Sequence, residues 1–302
     1  MKYGHLAARS CDVLARDALH DGATWTVHSV FARAFNLVRA DGVLVGVVAW
    51  PAPHGPATLV VDAGDAPDAA FTDRLVPGMA AIVVGSTLTV GGVLSIDLSA
   101  ATLWEPSARA LTVTPAELAR RIAIVTSIAV AEAPGGGFVP LLSGLAIPES
   151  GDLVVERARQ LLGTLLRTIR EEDWQTAAGA ARDLSGLGPG LTPSGDDALA
   201  GLVLGLRAGR GTLPRPLQAA IALAVVGRTT DLAAARVQHA AAGHADEAVH
   251  NLLAALVSGP AENLDRATRA LLAYGHSSGA DTLVGLLAGL TLSMEQRHAA
   301  PT

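Results

Sequence analysis

Thirteen residues, SGDDALAGLVLGL at Ser194–Leu206, are answered later in the chain by SGADTLVGLLAGL at Ser278–Leu290. Each copy opens with Ser-Gly, carries an Asp three residues after the Ser, and sets two Gly four residues apart in an apolar run. Read as helices, both place Asp, Gly and Gly on one slowly drifting stripe, about 40° per four-residue step. A Gly inside an exposed helix costs about 1 kcal/mol relative to Ala. Gly201, Gly205, Gly285 and Gly289 therefore point to stripes buried against a closely approaching backbone. Packed in parallel sense, the two helices would bring both starts to one end; packed antiparallel, they would hold them apart. The sequence leaves both arrangements open. Ser194 and Ser278 read as N-caps, with Asp197 and Asp281 completing capping boxes at the third helical position.

Converged helix starts make an anion site, because unpaired N–H groups and the positive end of the macrodipole point outward there. The chain has few other ways to hold an anion. Lys2 is its only lysine, so neither a Walker-type phosphate loop nor a pyridoxal Schiff base is expected. The candidate donors are the backbone at Ser194, Gly195, Ser278 and Gly279, with the hydroxyls of Thr192 and Ser277. Asp196 and His276 flank the two copies. GRTT supplies Arg228, Thr229 and Thr230, which read equally as an anion clamp or as the cap of the next helix. Asp197 and Asp281 would repel an anion directly. They are expected on backbone N–H groups, on an amide N–H of a substrate, or on a divalent metal, which stays open; no cofactor is identified.

Composition narrows the classes. The net charge of −6, with no basic run, argues against nucleic acid. No apolar stretch is long enough to cross a membrane, no secretory signal is visible, and Cys11 is the sole cysteine. A cytoplasmic protein is expected. Half the residues are apolar and mean hydropathy is +0.39, which suggests self-association or partner subunits.

The predicted fold class is α+β. A strand-rich N-terminal domain over 1–145, a small antiparallel sheet or barrel after a short opening helix, includes a closing helix and a Gly-rich linker at Gly135–Gly137. A helical domain over 146–302 carries the repeated motif. The Gly91–Gly92 pair between TLTV and VLSI reads as a hairpin turn. TPAELARR reads as a helix start capped by Thr114.

Two competing motifs are weak. GHSSG at Gly275–Gly279 matches a nucleophile elbow around Ser277, but a helical segment precedes it where a strand is required. Glu247 and His250, with His239 and His244 nearby, have the spacing of half a di-iron site without its second half.

In GLGPGLTPSGDDALAG, GRTT and GHSSGADTLVGLLAGL the chain resembles the AllH-like family, long catalogued as a bacterial domain of unknown function. That family is linked to a subunit of oxamate carbamoyltransferase in allantoin breakdown. The resemblance covers these three blocks and the order of the helical region and is weak in the strand-rich N-terminal part, and Ala233 stands where a Ser is expected. It implies transfer of a carbamoyl group between phosphate and the amide nitrogen of oxamate, within a complex of subunits. Thr192, Ser194, Gly195, Asp196, Arg228, Thr229, Thr230, Ser277, Ser278 and Gly279 would then bind substrate, and His276, Asp197 or Asp281 would move the proton. The alternatives are a non-catalytic ligand-binding or scaffold subunit, and an unrelated small-carboxylate enzyme.

Overall fold

The structure is a computed structural model and describes residues 4–63, 70–106, 111–143 and 151–299. It divides into two compact units, Met1–Ser107 and Ala108–Thr302.

The first unit is a closed barrel. It opens on a strand, β1 (Gly4–Asp12), and only then forms the short helix α1 (Val13–Ala18), which reverses the expected order. The Ala-containing opening segment has weak strand propensity of its own. It becomes a strand because neighbours pair with it on both edges. The remaining strands are β2 (Thr24–Val30), β3 (Ala34–Val38), β4 (Leu44–Ala49), β5 (Thr58–Asp62), β6 (Ala80–Val84), β7 (Thr87–Val90), β8 (Leu94–Asp97) and β9 (Thr102–Trp104). They run in the order β5-β4-β3-β2-β6-β7-β8-β1, and β1 pairs with β5 to close eight strands; β9 adds to the far half of β1. The barrel is mixed: β1–β8, β1–β9 and β4–β5 are parallel.

Alternating burial along β3, β6 and β7 sends Phe35, Leu37, Ala81, Val83, Leu88 and Val90 into the core. Gly91 and Gly92, with φ of 59° and 65°, form the two-residue turn read from the sequence. A Val93 N–H to Val90 carbonyl bond of 3.1 Å closes it.

The second unit holds nine α-helices among the described residues: α2 (Pro115–Glu132), α3 (Leu153–Arg170), α4 (Trp174–Leu184), α5 (Ser194–Arg210), α6 (Arg215–Ala224), α7 (Asp231–Ala242), α8 (Glu247–Val257), α9 (Asn263–Leu272) and α10 (Ser278–Ala299). Thr114 caps α2 as expected, its hydroxyl accepting the Glu117 N–H at 3.2 Å. The helix itself falls in this unit and not in the N-terminal domain to which the sequence assigned it. Buried Arg121 fastens it to the end of α8, donating to the Ala255 and Gly259 carbonyls at 2.7 and 2.8 Å.

Helix α5 is buried on every face from Ser194 to Leu206, as its all-round apolar sequence requires. Its partner is α10. A Cβ on Gly201 would lie 1.9 Å from the Thr282 carbonyl oxygen, and one on Gly205 2.2 Å from that of Leu286. A Cβ on Gly285 would meet the Ala198 oxygen at 1.9 Å, and one on Gly289 the Leu202 oxygen at 2.3 Å. Both series ascend together, so the helices are parallel. Glycine is demanded at each position because the opposing backbone occupies the place of a side chain.

No helix among the described residues is long and apolar enough to cross a membrane.

Candidate functional site

Parallel packing sets the starts of α5 and α10 side by side. The repeated Ser-Gly has its own physical reason. A Cβ on Gly195 would sit 1.9 Å from the carbonyl oxygen of Leu184, the last residue of α4, and one on Gly279 1.8 Å from that of Leu271 in α9. Each motif glycine lets the preceding helix end directly on the new helix start. The paired helix starts meet at their hydroxyls, Thr192 Oγ1 and Ser278 Oγ being 2.9 Å apart.

The acids do not act as capping-box partners. Pro193, not Ser194, is the N-cap of α5, with no side-chain cap bond, and Ser194 lies within the first turn. Asp197 is 1 % exposed and Asp281 is fully buried. Each reaches out of its own helix. Oδ1 of Asp197 accepts from Arg236 of α7, and Oδ1 of Asp281 accepts the Phe138 N–H at 2.6 Å. Gly137 permits the second contact: its φ is +56°, and a Cβ there would strike Asp281 Oδ1 at 2.4 Å. The Gly-rich stretch read as a linker therefore forms one wall of the acid cluster.

Arg236 organises the rest. It ion-pairs with Asp246 at 2.9 Å, donates to Thr282 Oγ1 at 3.1 Å, and lies 5.2 Å from the centre of the Tyr274 ring. Burial pushes the Asp197 carboxyl up to about 7, against the pull of Arg236 and the Ser278 hydroxyl, and the charges of Asp281 and Asp246 add to the rise. Burial also raises Asp281, opposed by the Phe138 N–H and the nearby hydroxyls of Ser194 and Ser277. The charge of Asp246, with burial, drives the Tyr274 hydroxyl up to about 12. Burial disfavours the Arg236 cation, but Asp197 and Asp246 outweigh it and raise its pKa.

The other sequence candidates divide between support and surface. Asp196 accepts from Ser185 at 2.9 Å, from the Gly186 N–H at 3.0 Å and from Thr229 at 2.7 Å, which ties the GRTT connector to the start of α5. Burial raises its pKa against those same bonds. Thr230 caps α7 by accepting the Ala233 N–H at 3.1 Å, so the residue that departs from the family pattern contributes a backbone amide. Arg228 and His276 are exposed on their connectors. The amides expected to greet an anion are engaged within the chain: Gly195 N–H donates to the Leu187 carbonyl at 2.8 Å and Gly279 N–H to that of Tyr274 at 3.0 Å. Thr192, Ser277 and Ser278 are half-buried at the paired starts.

Sequence reasoning missed Arg236, Asp246, Tyr274, Thr282 and the Phe138 amide. Arg236 carried the one usable signal, a lone cation in the Ala-rich run AAARVQHAAA. Among the described residues no group of three or more His, Cys, Asp or Glu gathers to hold a metal ion, so the His239–Glu247–His250 spacing has no such geometry behind it. A cavity of about 250 Å³ between α2, α3 and α10 is lined largely by Leu, Val and Ile and contains none of the candidate residues.

A family model described as the oxamate carbamoyltransferase subunit AllH matches residues 184–290. That span runs from the Leu184 carbonyl to the last motif leucine and takes in Arg236, Asp246 and Tyr274. A second model, the AllH family N-terminal domain, matches residues 6–103. No curated protein and no solved structure matches the chain. Together the two models cover about two thirds of the sequence, one on each structural unit, and the chain belongs to the AllH family of oxamate carbamoyltransferase subunits, a name that implies further protein subunits.

Proposed function

We propose that the paired starts of α5 and α10 form the substrate site of a carbamoyltransferase subunit that handles carbamoyl phosphate and oxamate in nitrogen recovery from allantoin. The observation carrying this reading is the parallel glycine seam, which unites two copies of one helix start into a single polar cluster inside an apolar helical unit. In the reaction, the oxamate nitrogen bonds to the carbamoyl carbon, the carbon–oxygen bond to phosphate breaks, and phosphate leaves with the electron pair. The nitrogen gives up one proton.

Asp197 suits that proton. Its carboxyl titrates near neutrality, where a general base is most effective, and Arg236 fixes its orientation. In this reading the hydroxyls of Thr192, Ser277 and Ser278 donate to the anionic substrate, where negative charge builds on the carbamoyl oxygen; the Thr192–Ser278 contact, which brings two of them together, supports it. Exposed Arg228 and His276 add recruitment of anions from solvent.

Titration calorimetry of the full chain with carbamoyl phosphate, oxamate and phosphate tests the reading, coupled to a phosphate-release assay with and without co-purified subunits. Binding of oxamate or carbamoyl phosphate, with turnover in the assembled complex, is the expected outcome. Binding of neither, by the chain or by the complex, overturns it.

A further inference from the structure

The cavity of about 250 Å³ between α2, α3 and α10 changes character along its length. On α3 its wall steps from Leu162 through Leu166 to Arg170, every fourth residue along one face of the helix. On α10 it steps from Val284 through Ala288 and Thr291 to Glu295. Exposure follows the same order. Leu162 and Val284 are buried, Leu166 and Ala288 are half-buried, and Arg170, Thr291 and Glu295 are exposed. The inner end is therefore apolar and the mouth is charged, where Arg170 pairs with Glu295. From Leu162 to Arg170 the helix rises about 12 Å.

Volume and lining decide what such a space accepts. An apolar cavity of about 150 Å³ is enough for benzene, so this one takes a body of about eight carbons. An alkyl or aryl body gains by leaving water. A polar group at the inner end would face Leu and Val side chains, at a desolvation cost with no hydrogen bond in return. The fitting ligand is an amphiphile whose polar group stays at the mouth. Arg170 sets the charge of that group. It holds Glu295 through Nη2, and a guanidinium has further N–H donors to grip a second carboxylate in two-pronged fashion.

We infer that this cavity is a binding site for a monocarboxylate with an apolar body of about eight carbons, its tail against Leu142, Leu162 and Leu287 and its carboxylate on Arg170. The Glu295 carboxylate marks the position of the ligand's acid group and competes for it. The site shares no residue with the paired starts of α5 and α10, and it does not rest on the carbamoyltransferase reading.

The experiment is calorimetry of the full chain with octanoate, octanamide and octylamine, repeated with Arg170→Gln, Glu295→Gln, Thr291→Trp and Ala288→Phe. Octanoate is expected to bind about threefold to fivefold more tightly than octanamide, the range of one half-exposed ion pair, and octylamine most weakly. Arg170→Gln should erase the preference for octanoate over octanamide. Glu295→Gln removes the competitor, and should tighten octanoate by a similar factor while leaving octanamide unchanged. Thr291→Trp at the exposed mouth and Ala288→Phe in the wall take up the space, and should weaken octanoate by at least about tenfold in chains whose circular dichroism shows an intact fold. No binding of octanoate, or binding unchanged in the folded space-filling variants, overturns the site. Equal affinity for octanoate and octanamide, tighter binding of octylamine, or no response to Glu295→Gln overturns the carboxylate assignment.

Discussion

Gly201→Ala isolates the seam on which the site depends. In an ordinary helix this change is stabilising by about 1 kcal/mol, since Ala is the better helix former. In α5 the new methyl would stand 1.9 Å from the Thr282 carbonyl oxygen and 2.9 Å from the Leu286 nitrogen, both backbone atoms that no rotamer change can move. Relief to even the 3.0 Å floor of real Cβ contacts requires α5 and α10 to part by about 1 Å. A gap of that size forfeits a quarter to a half of the dispersion attraction across it, on top of the usual overpacking cost of about 1–3 kcal/mol. A net loss of about 3 kcal/mol or more is expected. Gly163 in α3 is the internal control: a Cβ there meets nothing within 4 Å, so Gly163→Ala should gain up to about 1 kcal/mol. Thermal and urea unfolding followed by circular dichroism reads both, at about 2–4 °C per kcal/mol for a domain of this size. A Gly201→Ala variant as stable as the parent would refute the seam.

Stability should also depend on pH through Asp197. Its folded pKa, about 7, lies above the ordinary value of 3.8, so the folded state holds the proton more tightly. That contribution is complete below about pH 4 and is lost as pH rises through 7, with an upper bound of about 4 kcal/mol. Asp197→Asn should therefore gain on the parent across that window in urea titrations; a constant difference between pH 4 and 8 contradicts the assignment. Replacing Thr192 and Ser278 together by Cys should yield a disulfide on mild oxidation, seen by mass spectrometry as the loss of two hydrogens, and should block ligand access. Cys11 is buried in the barrel with its thiol pushed up to about 12, and is not expected to compete.

What the sequence made legible follows from where each constraint is written. Four helical glycines are costly without a close neighbour, so the seam was readable from Gly201, Gly205, Gly285 and Gly289 alone. The sense of packing was not, because the four-residue spacing is the same in either direction. Gly91–Gly92 was readable as a turn since both positions need positive φ. The capping boxes failed for a tertiary reason: Asp197 and Asp281 find partners 39 and 143 residues away, Arg236 and Phe138, which no local pattern announces. Gly135–Gly137 looked like a spacer because composition reports freedom, whereas Gly137 uses that freedom to lie against a carboxylate. Strand β1 was hidden similarly, since its identity comes from β5 and β8 and not from its own residues.

A crystal structure of the full chain grown with oxamate tests the central claim most directly. The account predicts the ligand at the paired starts of α5 and α10, its nitrogen toward the Asp197 carboxyl and its anionic end within hydrogen-bonding distance of the Thr192, Ser277 or Ser278 hydroxyls. Oxamate bound elsewhere, or no ligand at the paired helix starts at saturating oxamate, would contradict it.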